Sequence, residues 1–130
     1  FEVDGADAAK AFLAEQGMNE RDIEVVWDAI ALHTTEVIPQ RKRPEIALVQ
    51  TGAAIDVGVL PLDMLDADAV ARVVETWPRL GFKQAIVELL LSRYRSDRVA
   101  AISPVVRDAA IRHEPGFCAP NICDAAAFDS

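Results

Sequence analysis

Apolar residues recur along this chain at steps of three and four positions and nowhere in a clean alternation of two. A period near 3.6 marks helices that bury one face. The sharpest stripe is Ile23, Val26, Trp27 and Ile30, at i, i+3, i+4 and i+7, and with Asn19 ahead of it as a capping residue it predicts a helix over residues 19–34. Before it, residues 5–16 read as a helix, with Asp4 able to cap the free amides and Gly17 placed to end the helix in a left-handed turn. Pro44 suits the first position of a third helix, which lasts to Val57 before Gly58 and Pro61 break it. Asp66 caps a fourth, whose Val70, Val73, Val74 and Trp77 form a stripe of the same kind and which Pro78 closes. A fifth, over residues 79–95, is expected to bury Phe82, Ile86, Leu89 and Leu90, and a sixth opens at the Ser103-Pro104 pair and ends before Pro115-Gly116. No β-branched run is bounded by turn residues, so the expected fold class is all-α. Residues 1–120 read as one domain of six helices, and residues 121–130 as a tail without periodicity.

Composition narrows the function classes. With 130 residues, 52% hydrophobic and 26% charged, the chain can supply one core. A net charge of −8 and a pI near 4.6 argue against nucleic acid and against anionic membrane surfaces, since both would repel it. The longest apolar run, residues 46–62, is too short and too polar at Gln50, Thr51 and Asp56 to span a bilayer, and no basic segment introduces a signal-like stretch; the expected location is cytoplasmic. Cys118 and Cys123, five positions apart, match no zinc or redox spacing and read as free thiols. The chain begins at Phe1 and enters "FEVDGADAAKAFLAEQG" at once, as the interior of a longer gene product would.

Two residues stand out as candidates for chemistry. Asp56 is the only charge in residues 46–62, seven positions after Val49 and three after Ala53, and that spacing is expected to aim it inward. His33 lies seven after Val26 and three after Ile30, and is expected to project from the apolar face of the second helix. One reading joins them as a buried pair in which the carboxylate accepts from an imidazole N–H. The other is a metal site, where imidazole nitrogen and carboxylate oxygen suit zinc or iron. Such a site takes at least three protein ligands, and the other histidine, His113, sits in the last turn of the sixth helix, where packing or capping explains it. The segment "TGAAIDVG" lacks phosphate-loop spacing. Arg41, Lys42 and Arg43 read as a solvated loop, or as guards at the mouth of a site on the second and third helices.

The order of "FEVDGADAAKAFL", "VWDAIALHTT", "PEIALVQTGAAIDVGV", "PRLGFKQA" and "RHEPGF" resembles the cyanamide hydratase-like branch of the HD-domain superfamily, over residues 1–121. The resemblance implies a helical bundle that holds a divalent metal through a histidine, a His-Asp doublet and a later aspartate, and "TGAAIDVG" matches the segment of that aspartate, so Asp56 is the implied metal ligand. It places His33 beside the metal, as a group that contacts substrate or orients a ligand. The implied metal is zinc, with iron or manganese as alternatives, and the implied reaction adds water to a nitrile such as cyanamide, giving urea. Other members hydrolyse phosphate esters. No His-Asp doublet occurs here, and the family places it ahead of the segment beginning at Phe1, so the expectation is the C-terminal part of a longer enzyme, inactive and poor at binding metal by itself. Its partners are then a small-molecule substrate and further copies of the chain, drawn together by uncovered apolar faces. The contrasting expectation is a non-catalytic acidic helical domain that binds a partner protein.

Overall fold

The structure is a computed structural model that describes residues 1–119. It contains six α-helices and three short 3₁₀ turns, with no strand among the described residues, so the all-α class holds. The chain divides into two compact units, Phe1–Glu75 and a second that begins at Thr76.

In the first unit, α1 (Glu2–Glu15) starts three residues earlier than the pattern indicates. Asp4 therefore lies inside the first turn with Glu2, where carboxylates meet the positive end of the helix dipole, and does not act as the cap. Gly17 ends the helix with φ +77°, as expected of a residue without a Cβ. Asn19 caps α2 (Glu20–Ala31), its side chain accepting from the Asp22 amide at 3.0 Å. α2 stops short of residue 34, so His33 lies beyond the helix. A 3₁₀ turn at Pro39–Arg41 leads into α3 (Pro44–Asp56), which has Pro44 at its first position as the sequence indicates.

α1 packs on α2, and α2 on α3. Ala6 is fully buried at the first seam, and a Cβ on Gly5 would come 3.6 Å from Ile30 Cγ2, so small residues let these two helices approach closely. Ile23, Ala29, Pro39, Ile46, Ala54 and Ile55 complete the buried set, in which alanines are prominent, and the core is correspondingly thin. α4 (Ala67–Thr76) is capped by Asp66, whose Oδ1 accepts from the Ala69 amide at 2.8 Å. Its apolar stripe does not join this core: Val73, Val74 and Trp77 stay exposed, Trp77 at 74%. α4 packs extensively on none of α1–α3, so Val73 and Val74 have no helix of the first unit to lie against.

In the second unit, α5 (Phe82–Ser96) and α6 (Pro104–His113) are linked by a 3₁₀ turn at Arg98–Ile102. α5 begins three residues later than the pattern indicates, because Leu80 and Gly81 both take left-handed backbone, φ +47° and +77°, in a turn closed by the Phe82 amide donating to the Arg79 carbonyl at 2.8 Å. Leu90, Tyr94, Val106 and Ala110 form the core, with Ile86 and Phe117 packed against it and the Tyr94 and Phe117 rings edge to face at 5.2 Å. Leu89, expected inside, is 64% exposed, while Leu91 is buried. Within this unit α5 packs mainly on α6 and the 3₁₀ turn, which cover a single stripe of it, and Leu89 lies off that stripe.

Candidate functional site

Asp56 is the last residue of α3, and it is exposed rather than buried. The helix fixes this. Ile46, Ala54 and Ile55 are the residues α3 buries, and Asp56 comes one position after Ile55, about 100° further round the axis. Val49, which shares a face with Asp56, is likewise exposed, and Ala53 between them is half-buried at the edge of that face.

His33 is half-buried just past the end of α2. Its Nδ1 lies 2.6 Å from the Ile30 carbonyl oxygen, and since a carbonyl only accepts, Nδ1 carries the proton and donates. The Phe1 ring meets the imidazole edge to face at 5.8 Å. Next to it the Thr34 hydroxyl donates to Glu2 Oε1 at 2.8 Å, tying the end of α2 to the start of α1. The Ile30 carbonyl, which also accepts the His33 backbone amide at 3.5 Å, thus gains a second donor from the ring at the helix C-terminus. No polar or charged residue among the described residues is buried, so the expected buried pair of His33 with Asp56 is not formed.

The metal implied by the resemblance needs at least three protein donors. Among the described residues no three His, Cys, Asp or Glu side chains converge in a way that could hold a metal ion. The donors present therefore do not fit a complete zinc, iron or manganese site, and Asp56 can serve only as one ligand of a set. His113 is exposed in the last turn of α6 beside Arg112, where a cation meets the negative end of the helix dipole. Cys118 is an exposed free thiol, whereas Cys123 and the expected tail lie outside the described residues.

The basic loop is exposed, and two of its three basic residues are paired. Lys42 Nζ lies 2.6 Å from Asp28 Oδ2 on α2, and Arg43 bridges to Glu45 at 2.9 Å across the start of α3. The hydrogen bond from Arg43 holds the Glu45 carboxyl below the usual carboxylate range, and the same bond raises the Arg43 guanidinium. Asp28, Lys42 and Arg43, with Arg21, Glu24 and Ile46, line an open cleft of about 370 Å³ that carries charges of both signs.

A second cleft, of about 670 Å³, is one that the sequence does not announce. It lies wholly within the second unit, where the start of α5 meets the end of α6, and it gathers Arg79, Lys83, Arg112 and His113. These basic side chains come from segments some thirty positions apart, and only the pairing of α5 with α6 brings them together. No helix among the described residues is long and apolar enough to cross a membrane. No family model, curated protein or solved structure matches this chain.

Proposed function

We propose that this chain is one portion of a helical, metal-dependent hydratase, to which it contributes Asp56 as a carboxylate ligand and the apolar surface around Asp56 as a seat for the rest of the protein. The observation that carries the reading is the setting of Asp56: an exposed carboxylate at the end of α3, followed at once by exposed Val57, Val59, Leu62 and Met64. Contiguous apolar surface gains by being covered. A carboxylate covered with it must meet a cation or a set of donors, because losing its water otherwise costs several kcal/mol or more.

The order of motifs along the chain supports the same reading and supplies the class of reaction, addition of water to a nitrile such as cyanamide. The other ligands would come from residues outside this chain, since one carboxylate leaves most coordination positions to water. The part played by the residues at hand is to fix Asp56: Ile46, Ala54 and Ile55 anchor α3 on the first unit, and the Arg43–Glu45 and Lys42–Asp28 pairs hold the entry to that helix. The test is metal content and urea release from cyanamide in the intact gene product, with phosphate release from phosphate esters as the competing assay. A gene product with no His-Asp doublet ahead of Phe1 overturns the reading.

The open stripe of α4, with Val73, Val74 and Trp77 uncovered, favours a second reading, a non-catalytic helical domain that docks on a partner protein or on its own copies. The intact gene product would then retain no metal after purification, which elemental analysis decides.

A further inference from the structure

We propose that the basic cleft of the second unit binds an organic phosphate, with the phosphate group against Lys83 and Arg112 and the apolar part of the ligand on Phe82, Val87 and Leu91. The proposal is independent of Asp56, because every group it uses lies between Arg79 and His113.

The cleft is electropositive in a chain of net charge −8. Arg79, Lys83, Arg112 and His113 line it against a single carboxylate, Glu88, whose Oε1 already accepts from the Gln84 side chain at 2.7 Å. Elsewhere in the unit Arg93 pairs with Asp97 at 3.3 Å and Arg95 with Glu114 at 2.5 Å, while Arg98 lies over the Tyr94 ring and donates to its hydroxyl. Lys83, Arg112 and His113 form no ion pair among the described residues. Arg112 and His113 have a local reason to sit where they do, at the negative end of α6. Lys83 has none. It occupies the first turn of α5, where a cation opposes the helix dipole, and that turn carries no acidic residue, whereas α1 to α4 each place one or two there. A dianion between Lys83 and Arg112 would turn this repulsion into attraction.

The turn before α5 completes the wall. Left-handed Leu80 and Gly81 fold the chain so that the Arg79 guanidinium lies 4.7 Å from the centre of the Phe82 ring, which keeps that cation at the edge of the cleft. Gly81 lines the same space and brings no side chain to fill it. The floor of Phe82, Val87 and Leu91 is apolar, which inorganic phosphate cannot use and the body of a phosphate monoester can. No serine, threonine or cysteine lines the cleft, and no metal-holding group of His, Cys, Asp and Glu occurs among the described residues, so the assignment is to binding and not to hydrolysis.

The experiment titrates the whole 130-residue chain with phenyl phosphate, inorganic phosphate and phenol, following backbone amide resonances by NMR. Phenyl phosphate should saturate with shifts centred on Lys83, Phe82 and Arg112, inorganic phosphate should bind more weakly, and phenol should not bind. Lys83→Gln and Arg112→Gln, both exposed positions, should each weaken phenyl phosphate about three- to tenfold while helical content stays unchanged. On the unaltered chain, raising the ionic strength should weaken binding, a readout that does not depend on any variant folding. Absence of saturable binding by phenyl phosphate overturns the proposal, as does binding that phenol matches or that neither salt nor the two substitutions reduce.

Discussion

The indole N–H of Trp27 on α2 donates to Asp7 Oδ1 on α1 at 2.7 Å, closing over the seam in which Ala6 is buried. Ala6 and Gly5 allow the helices to approach, and the Trp27–Asp7 bond fixes their register. Asp7→Ala and Trp27→Phe should each cost about 0.5–1.5 kcal/mol, and the double variant little more than either alone, since both remove the same bond. Denaturant melts of the four proteins check this. Fully additive losses would show that the bond contributes nothing to stability.

The core of the second unit is organised around Val106, which is fully buried against Leu90, Tyr94 and Ala110. Val106→Ala removes two methyl groups from a packed site and should cost roughly 2 kcal/mol. Leu89→Ala, on the uncovered side of α5, should change stability by less than about 0.5 kcal/mol. Thermal melts compare the two, and an equal loss at both positions would contradict the burial pattern.

Glu45 sets the acid side of the stability profile of the first unit in a small way. Its carboxyl is held below the usual range by the hydrogen bond from Arg43 and then by its own backbone amide. The folded state thus binds this proton more weakly than the unfolded chain, so the contribution is present above the ordinary carboxylate pKa and is lost as pH falls through the lowered one. Glu45→Gln should lower the thermal midpoint slightly at neutral pH and converge with the unaltered protein in acid, and added salt should shrink the difference because both side chains are exposed. A difference that grows as pH falls would contradict the assignment.

Signals whose energetics are local were legible in the sequence. Asn19 caps α2, Gly17 closes α1, Asp66 caps α4, and Pro44 and Pro104 open their helices where the residue types indicate. The face of α3 was not legible, and the reason is physical. Ile46, Ala47, Leu48, Val49, Ala53, Ala54 and Ile55 make the helix apolar all round, so no polar side marks which way it turns, and spacing from Val49 placed Asp56 on the wrong face. α4 shows the opposite failure: its stripe is well formed, but periodicity says only that a face is apolar, not that a neighbour covers it. His33 was phased as part of α2, yet the helix ends two residues before it, and its ring turns back to bond the Ile30 carbonyl in the last turn. The basic cleft escaped because charge positions thirty residues apart become neighbours only through the packing of α5 on α6.

The central claim is that Asp56 is a metal ligand in the intact gene product, and the most direct measurement is its metal content with and without Asp56→Ala, taken together with the thermal midpoint. Asp56 is exposed at the end of α3 and outside the buried set, so the helical fold should survive the substitution while bound zinc, iron or manganese falls sharply and urea release from cyanamide falls with it. Metal content that the substitution leaves unaltered, or a purified gene product that holds no metal at all, contradicts the account.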